Sequence, residues 1–176
     1  MIILLTIFIS IIFTMTGAEL STLMENRKSP QDISSDMNME IVNKKGRKRL
    51  LKVRSISKDN NEKQILWFLS PADDKGISYL KIEHENRDDE IRLWLPAFKK
   101  IRRISSKKKA DSFMGSDLSY EDMTSRQKEN YSFSIVKEDN INGKDCYLLE
   151  SKPKNGIKSV YSKHLTWVTK NTYLPI

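Results

Sequence analysis

The chain has 176 residues, enough for one domain with a substantial core. With 38% hydrophobic and 31% charged residues it is polar for a globular protein, but its composition is not that of a disordered one. The net charge of +8 raises nucleic-acid binding, and its distribution argues against it: seven basic residues fall within 44–54 and seven within 99–109, with no acid in either run, leaving 17 basic against 23 acidic residues elsewhere.

No zinc-ligand spacing, helix-turn-helix pattern or stacking-aromatic motif accompanies these runs. Two local basic patches suit an anionic membrane surface or an acidic partner at least as well. The single cysteine, Cys146, rules out an intramolecular disulfide, and its apolar neighbours in a strand-like segment mark it as a small buried hydrophobe. His84 and His164 are the only histidines and lie in separate segments, so both read as structural. No metal site and no cofactor is expected.

Residues 1–18 read as an export segment. Ile2 to Phe13 is almost continuously apolar, the length of a signal-peptide core and short for a membrane span. Thr16-Gly17-Ala18 supplies small residues before a cut ahead of Glu19. No lysine or arginine precedes the apolar run, so an uncleaved anchor is the alternative. No cysteine stands near the cut, which excludes a lipid-modified amino terminus. Either way residues 19–176 leave the cytosol as one domain.

Glu19 to Ser29 reads as a short amphipathic helix, with Leu20, Leu23 and Met24 on one face and Pro30 beyond its end. Strands at hairpin spacing follow. Met37, Met39 and Ile41 alternate with polar residues, and Leu51 and Val53 alternate with Lys52 and Arg54. Gln64 to Leu69 is a denser apolar run, the mark of a central strand. Ile77 to Glu85 is a further strand, then Ile91, Leu93 and Leu95 alternate with Arg92 and Trp94 until Pro96 stops the run. Phe98 to Ile104 is a short, strongly basic strand.

Asp111 to Asp122 is a turn. Gly115 permits a left-handed backbone, and Ser119 to Asp122 resembles a capping box, so a short helix is expected near Leu118. Arg102 and Arg103 either pair with Asp117, Glu121 or Asp122, which is the favoured reading, or bind a headgroup or an acidic partner. Tyr131, Phe133 and Ile135 alternate in a strand, Asn142-Gly143 turns it, and Asp145 to Ser151 returns. Lys158 to Lys163 and Leu165 to Lys170 are the last two strand candidates.

The stretch Leu93-Trp94-Leu95-Pro96-Ala97, then Lys100 to Ile104, then Ser112-Phe113-Met114-Gly115-Ser116-Asp117 with Tyr120-Glu121-Asp122, resembles the signature of the outer-membrane lipoprotein-sorting proteins, relatives of the periplasmic carriers LolA and LolB. Phe68 to Ala72 with Lys75-Gly76, Asn142 to Tyr147 and Tyr173-Leu174-Pro175 also match. The resemblance spans residues 19–176. It implies a mainly β (α+β) fold: a strongly curved antiparallel sheet, an unclosed half-barrel with short covering helices. Family members continue past Ile176, so the carboxyl-terminal strands are expected to be missing and a sheet edge exposed.

The resemblance also implies a job: sorting lipoproteins or carrying lipid in the periplasm of a Gram-negative bacterium, by binding acyl chains in a concave apolar face. The alternative on the same fold is an envelope sensor or interaction module that binds a protein without lipid transfer. An inner-membrane transporter and transient contact with a membrane surface are the implied partners. The family is not one of enzymes, and the sequence shows no catalytic set; Ser112, Ser116 and Ser119 lack a nearby histidine.

A carrier of this kind needs an apolar face. The alternating residues Met37, Met39, Ile41, Leu51, Val53, Leu66, Phe68, Ile91, Leu93, Leu95, Phe133 and Ile135 are the candidates, the flexible methionines suiting variable acyl chains. The bland alternative is that they only pack a core, which periodicity cannot distinguish. Phe113, Met114, Gly115, Asp117, Tyr120, Glu121 and Asp122, with Arg102 and Arg103, form the signature loop and its expected ion pairs.

Overall fold

The computed structural model describes residues 14–84 and 87–176. The apolar run from Ile2 to Phe13 lies outside the described residues. The chain divides into two compact units, one made of Lys28–Asn130 with Asn155–Ser162, the other of the residues up to Arg27 with Tyr131–Lys154 and Lys163–Ile176.

The larger unit is a six-stranded antiparallel meander: β1 (Ile33–Val42), β2 (Lys48–Lys58), β3 (Lys63–Ser70), β4 (Ser78–Ile82), β5 (Glu90–Leu95) and β6 (Lys100–Ile104). The strands lie in chain order and the sheet is unclosed, with β1 and β6 at its edges. Alternation dictates the faces. In β2, Leu51, Val53, Ser55 and Ser57 are buried while Lys52 and Arg54 are exposed. Register carries the pattern across the sheet: Met39 faces Leu51, Val53 faces Phe68, Leu66 faces Tyr79, and Tyr79 faces Leu93. Pro96 ends β5 as expected. A 3-10 turn, Pro96–Phe98, follows it, and Lys99 in the left-handed region (φ 49°) sends the chain back as β6.

The core of this unit joins Leu51, Val53, Leu66, Phe68, Tyr79, Ile91, Leu93 and Ile104 to Phe113 and Tyr120. The last two come from the irregular segment 111–123. No helix forms near Leu118. Successive i→i+3 bonds, from Asp122, Met123 and Thr124 back to Ser119, Tyr120 and Glu121, make turns instead. The capping pair is nevertheless present: the Ser119 N–H donates to Asp122 Oδ2 at 2.8 Å, and the Asp122 N–H donates to Ser119 Oγ at 3.4 Å. Nor is 158–163 a strand. Its Val160 N–H, which a ladder would need, donates to Glu121 Oε2 at 2.8 Å, and the Tyr161 hydroxyl donates to Asp122 at 2.6 Å.

The smaller unit packs a helix, α1 (Gly17–Glu25), with a three-stranded antiparallel sheet of β7 (Tyr131–Ile141), β8 (Lys144–Pro153) and β9 (His164–Thr169). Asn142 and Gly143, both left-handed (φ 51° and 79°), make the β7–β8 hairpin turn that the sequence signalled. Beyond β8, the other edge of β9 is engaged by the last residues. Thr169 N–H donates to the Leu174 carbonyl and Ile176 N–H to that of Trp167, around a Val168–Pro175 bridge. Leu20, Leu149 and Val168 form the core, with Met24, Phe133 and Ile135 against it; Cys146 is fully buried.

The helix begins two residues before the expected start. Thr16 is its N-cap and Glu19 completes a reciprocal capping box. Gly17 is buried against β7, where an added Cβ would come within 2.6 Å of the Phe133 carbonyl carbon. The boundary read between Ala18 and Glu19 thus falls inside α1, past its cap. Within the described residues, no helix is long and apolar enough to cross a membrane.

Candidate functional site: an apolar sheet face under an aromatic loop

One face of the six-stranded sheet is mostly apolar from β1 to β5, interrupted by the buried Ser55, Ser57 and Lys81. Leu51, Val53, Leu66, Phe68, Ile91 and Leu93 are buried on it, and Met39 and Ile41 pack against the same cluster. Leu95 is half-buried, and Met37, towards the start of β1, stays 38% exposed. Phe133 and Ile135 are not on this face; they belong to the cluster around Leu20. Ten of the twelve candidates therefore lie on one sheet, six of them in its core cluster and two packed against it.

The face is occupied by aromatic side chains from the signature loop. Phe113 stands edge-on to Tyr79 (centroids 5.4 Å apart) and to Tyr120 (5.7 Å), and lies 6.2 Å from Phe68; Tyr120 stacks on Tyr79 at 6.4 Å. The loop's own bonds shape it. Met114 and Gly115 are left-handed, Phe113 N–H donates to the Leu118 carbonyl, and Ser116 Oγ donates back to Phe113. Arg49, on β2, grips Asp74 with two hydrogen bonds of 2.7 and 3.0 Å and reaches the Met114 carbonyl at 3.4 Å. At the loop's far end Glu121 accepts from Ser159 Oγ and Val160 N–H.

Glu121 and Asp122 are thus engaged with 159–161, and Arg102 and Arg103 form no salt bridge with them or with Asp117. The expected ion pairs do not form: Arg102 and Arg103 are both exposed on the edge strand β6, while Glu121 and Asp122 are taken up by residues 159–161. Among the contacts that hold the loop is one to the Met114 carbonyl from Arg49, a residue legible in the sequence only as part of a basic run.

Two buried polar groups on the same sheet were also missed. Lys81 is fully buried and its ammonium meets Glu83 Oε1 at 2.8 Å, the same oxygen that accepts from Ser125 N–H at 2.7 Å. The Tyr79 hydroxyl is buried with no hydrogen-bond partner among the described residues. Burial, then the Glu83 carboxylate, holds its phenol far above the usual range, so it stays a protonated donor. Register is the signal that would have found both, since Tyr79 and Lys81 pair with Leu93 and Ile91. No group of three or more metal-ligating side chains occurs among the described residues.

A family model described as "Uncharacterized protein"-like matches residues 60–176. No curated protein matches the chain at a significant level. Among solved structures, the chain is 34% identical to a DUF1329 family protein from Desulfovibrio piger, with a TM-score of 0.80 over 90% of this chain and 69% of that one. It is 32% identical to a domain from Vibrio parahaemolyticus assigned to outer membrane lipoprotein sorting, also with a TM-score of 0.80, over 90% of this chain and 68% of that one. A LolA superfamily protein from Nitrosomonas europaea shares the fold at 18% identity, with a TM-score of 0.64 over 92% of this chain and 70% of that one. The chain belongs to the DUF1329 family, and it matches the Vibrio lipoprotein-sorting domain equally well in fold. Its mainly antiparallel, unclosed-sheet architecture is the LolA-like fold that the signature implied.

Proposed function

We propose that this protein is a lipoprotein-sorting or lipid-carrier protein of the Gram-negative periplasm, and that it binds acyl chains on the apolar face of the six-stranded sheet. The observation that carries this reading is the cover of that face. An irregular loop seals it with two aromatic side chains, Phe113 and Tyr120. Such a cover can be exchanged. Re-exposing one aromatic side chain costs about 1.5–3 kcal/mol, whereas each buried acyl methylene contributes about 0.8 kcal/mol. A handful of methylenes therefore offsets the departure of Phe113 and Tyr120, and a full acyl chain exceeds it. In this reading an inner-membrane transporter supplies the cargo.

The filled face favours a second reading, in which the same fold is an envelope sensor or interaction module that carries nothing. Phe113→Ala separates the two. Removing a buried aromatic side chain costs about 3–5 kcal/mol in the ligand-free protein. A carrier gains room with that change, so its affinity for a fluorescent fatty acid such as cis-parinaric acid rises several-fold. A sensor module loses stability and takes up no probe in either form.

A further inference from the structure

The two basic runs meet different fates in the fold. In 44–54, Lys48 pairs with Glu40, Arg49 with Asp74 and Arg54 with Asp36, at 2.7–2.9 Å, while Lys44, Lys45, Arg47 and Lys52 form no salt bridge with the described residues. In 99–109, among the described residues, only Lys109 is paired, with Asp89 at 2.8 Å. Lys99, Lys100, Arg102, Arg103, Lys107 and Lys108 form no salt bridge with the described residues. Four of these six lie on or beside β6, which pairs only with β5 and leaves its other edge open.

The same hairpin holds large apolar side chains in water. Phe98, in its turn, is 70% exposed; Ile101 is 63% exposed and faces Trp94, itself 38% exposed. Charge on an edge strand is a common guard against edge-to-edge pairing. That role leaves Phe98 and Ile101 unexplained, since exposed apolar residues promote the association that charge prevents. Cations around projecting aromatic and aliphatic side chains are instead the chemistry of an anionic bilayer interface. Alternation along β6 places Lys100 and Arg102 on one side and Ile101 and Arg103 on the other. Long cationic stems on both sides suit a surface of mobile phosphates better than a protein partner with a fixed charge pattern.

We infer that the β5–β6 hairpin docks on anionic membrane, with Phe98, Ile101 and Trp94 entering the headgroup region and the six unpaired cations meeting lipid phosphates. This adds a membrane-docking surface to the carrier reading and does not depend on the acyl site.

Vesicle flotation of the full chain tests it. Vesicles of phosphatidylethanolamine with 30% phosphatidylglycerol are compared with pure phosphatidylcholine at low and high salt. The amino-terminal apolar run is common to every variant, so the readout is the preference for anionic lipid. The wild type shows at least a tenfold preference, lost in high salt. Lys99→Glu with Arg103→Glu abolishes it, and Phe98→Ser weakens binding to anionic vesicles several-fold while leaving the salt dependence in place. Lys44→Glu with Lys45→Glu, the same change in net charge elsewhere, leaves the preference unchanged. Equal binding to both vesicles, or an equal loss in the Lys44/Lys45 variant, overturns the inference. So does unaltered binding by Phe98→Ser, or retention of an acidic protein with no lipid preference. Acyl-probe uptake by Phe98→Ser, measured in parallel, stays at the wild-type level, which keeps failure here distinct from failure of the carrier reading.

Discussion

At the scale of single residues, the buried polar groups of the six-stranded sheet make the sharpest predictions. The Tyr79 hydroxyl is buried without a partner among the described residues. Leaving such a group unsatisfied costs about 1–3 kcal/mol. Tyr79→Phe should therefore raise the urea midpoint of the ligand-free protein, and a fall would mean that the hydroxyl is satisfied in solution. Lys81→Ala leaves Glu83 without its ammonium, and breaking a buried pair costs about 3–5 kcal/mol. The double variant Lys81→Met, Glu83→Leu should recover most of that loss in the same denaturation experiment. Neither residue was legible as a buried group. Tyr79, Leu80 and Ile82 put apolar residues on both parities of β4, so alternation names no inward face. Ile91 and Leu93 were legible, because Arg92 and Trp94 mark the other side.

At the scale of elements, caps and turns decided where sequence reading succeeded. Asn142-Gly143 and Pro96 fixed their turns because backbone chemistry leaves few options. The capping pair of Ser119 and Asp122 was legible too, but it heads only turns, since Glu121 and Asp122 also hold residues 159–161 through contacts about 40 positions away. The ion pairs expected for Arg102 and Arg103 failed for the same reason: spacing shows charge, not partners. In α1 the cap is Thr16, and Thr16→Ala should cost about 1 kcal/mol by thermal melting. A chain beginning at Glu19 should melt lower still, because it also lacks Gly17. Hydrogen bonds from Thr16 hold the Glu19 carboxyl below its ordinary value of 4.5. A depressed carboxyl stabilises the fold above that value and stops doing so as pH falls through its lowered one. The melting-temperature gap between wild type and Glu19→Gln should therefore close in acid and stay open near neutrality.

At the scale of the whole molecule, the mainly β class and the strand meander were legible because most strands declare their period and most connections their turn residues. The division into two compact units was not, since α1 at one end of the chain packs with strands that begin at Tyr131. Nor was the state of the apolar face. Leu51, Phe68 and Leu93 alternate in the same way whether they face acyl chains, solvent-filled space or Phe113 and Tyr120. The central claim is that the face exchanges those two side chains for acyl chains. Native mass spectrometry of the chain purified from a bacterial periplasm, with organic extraction of what it holds, tests this most directly. The carrier account predicts added mass that extracts as acyl lipid or lipoprotein. A folded protein of bare polypeptide mass, with nothing acyl in the extract, would contradict it.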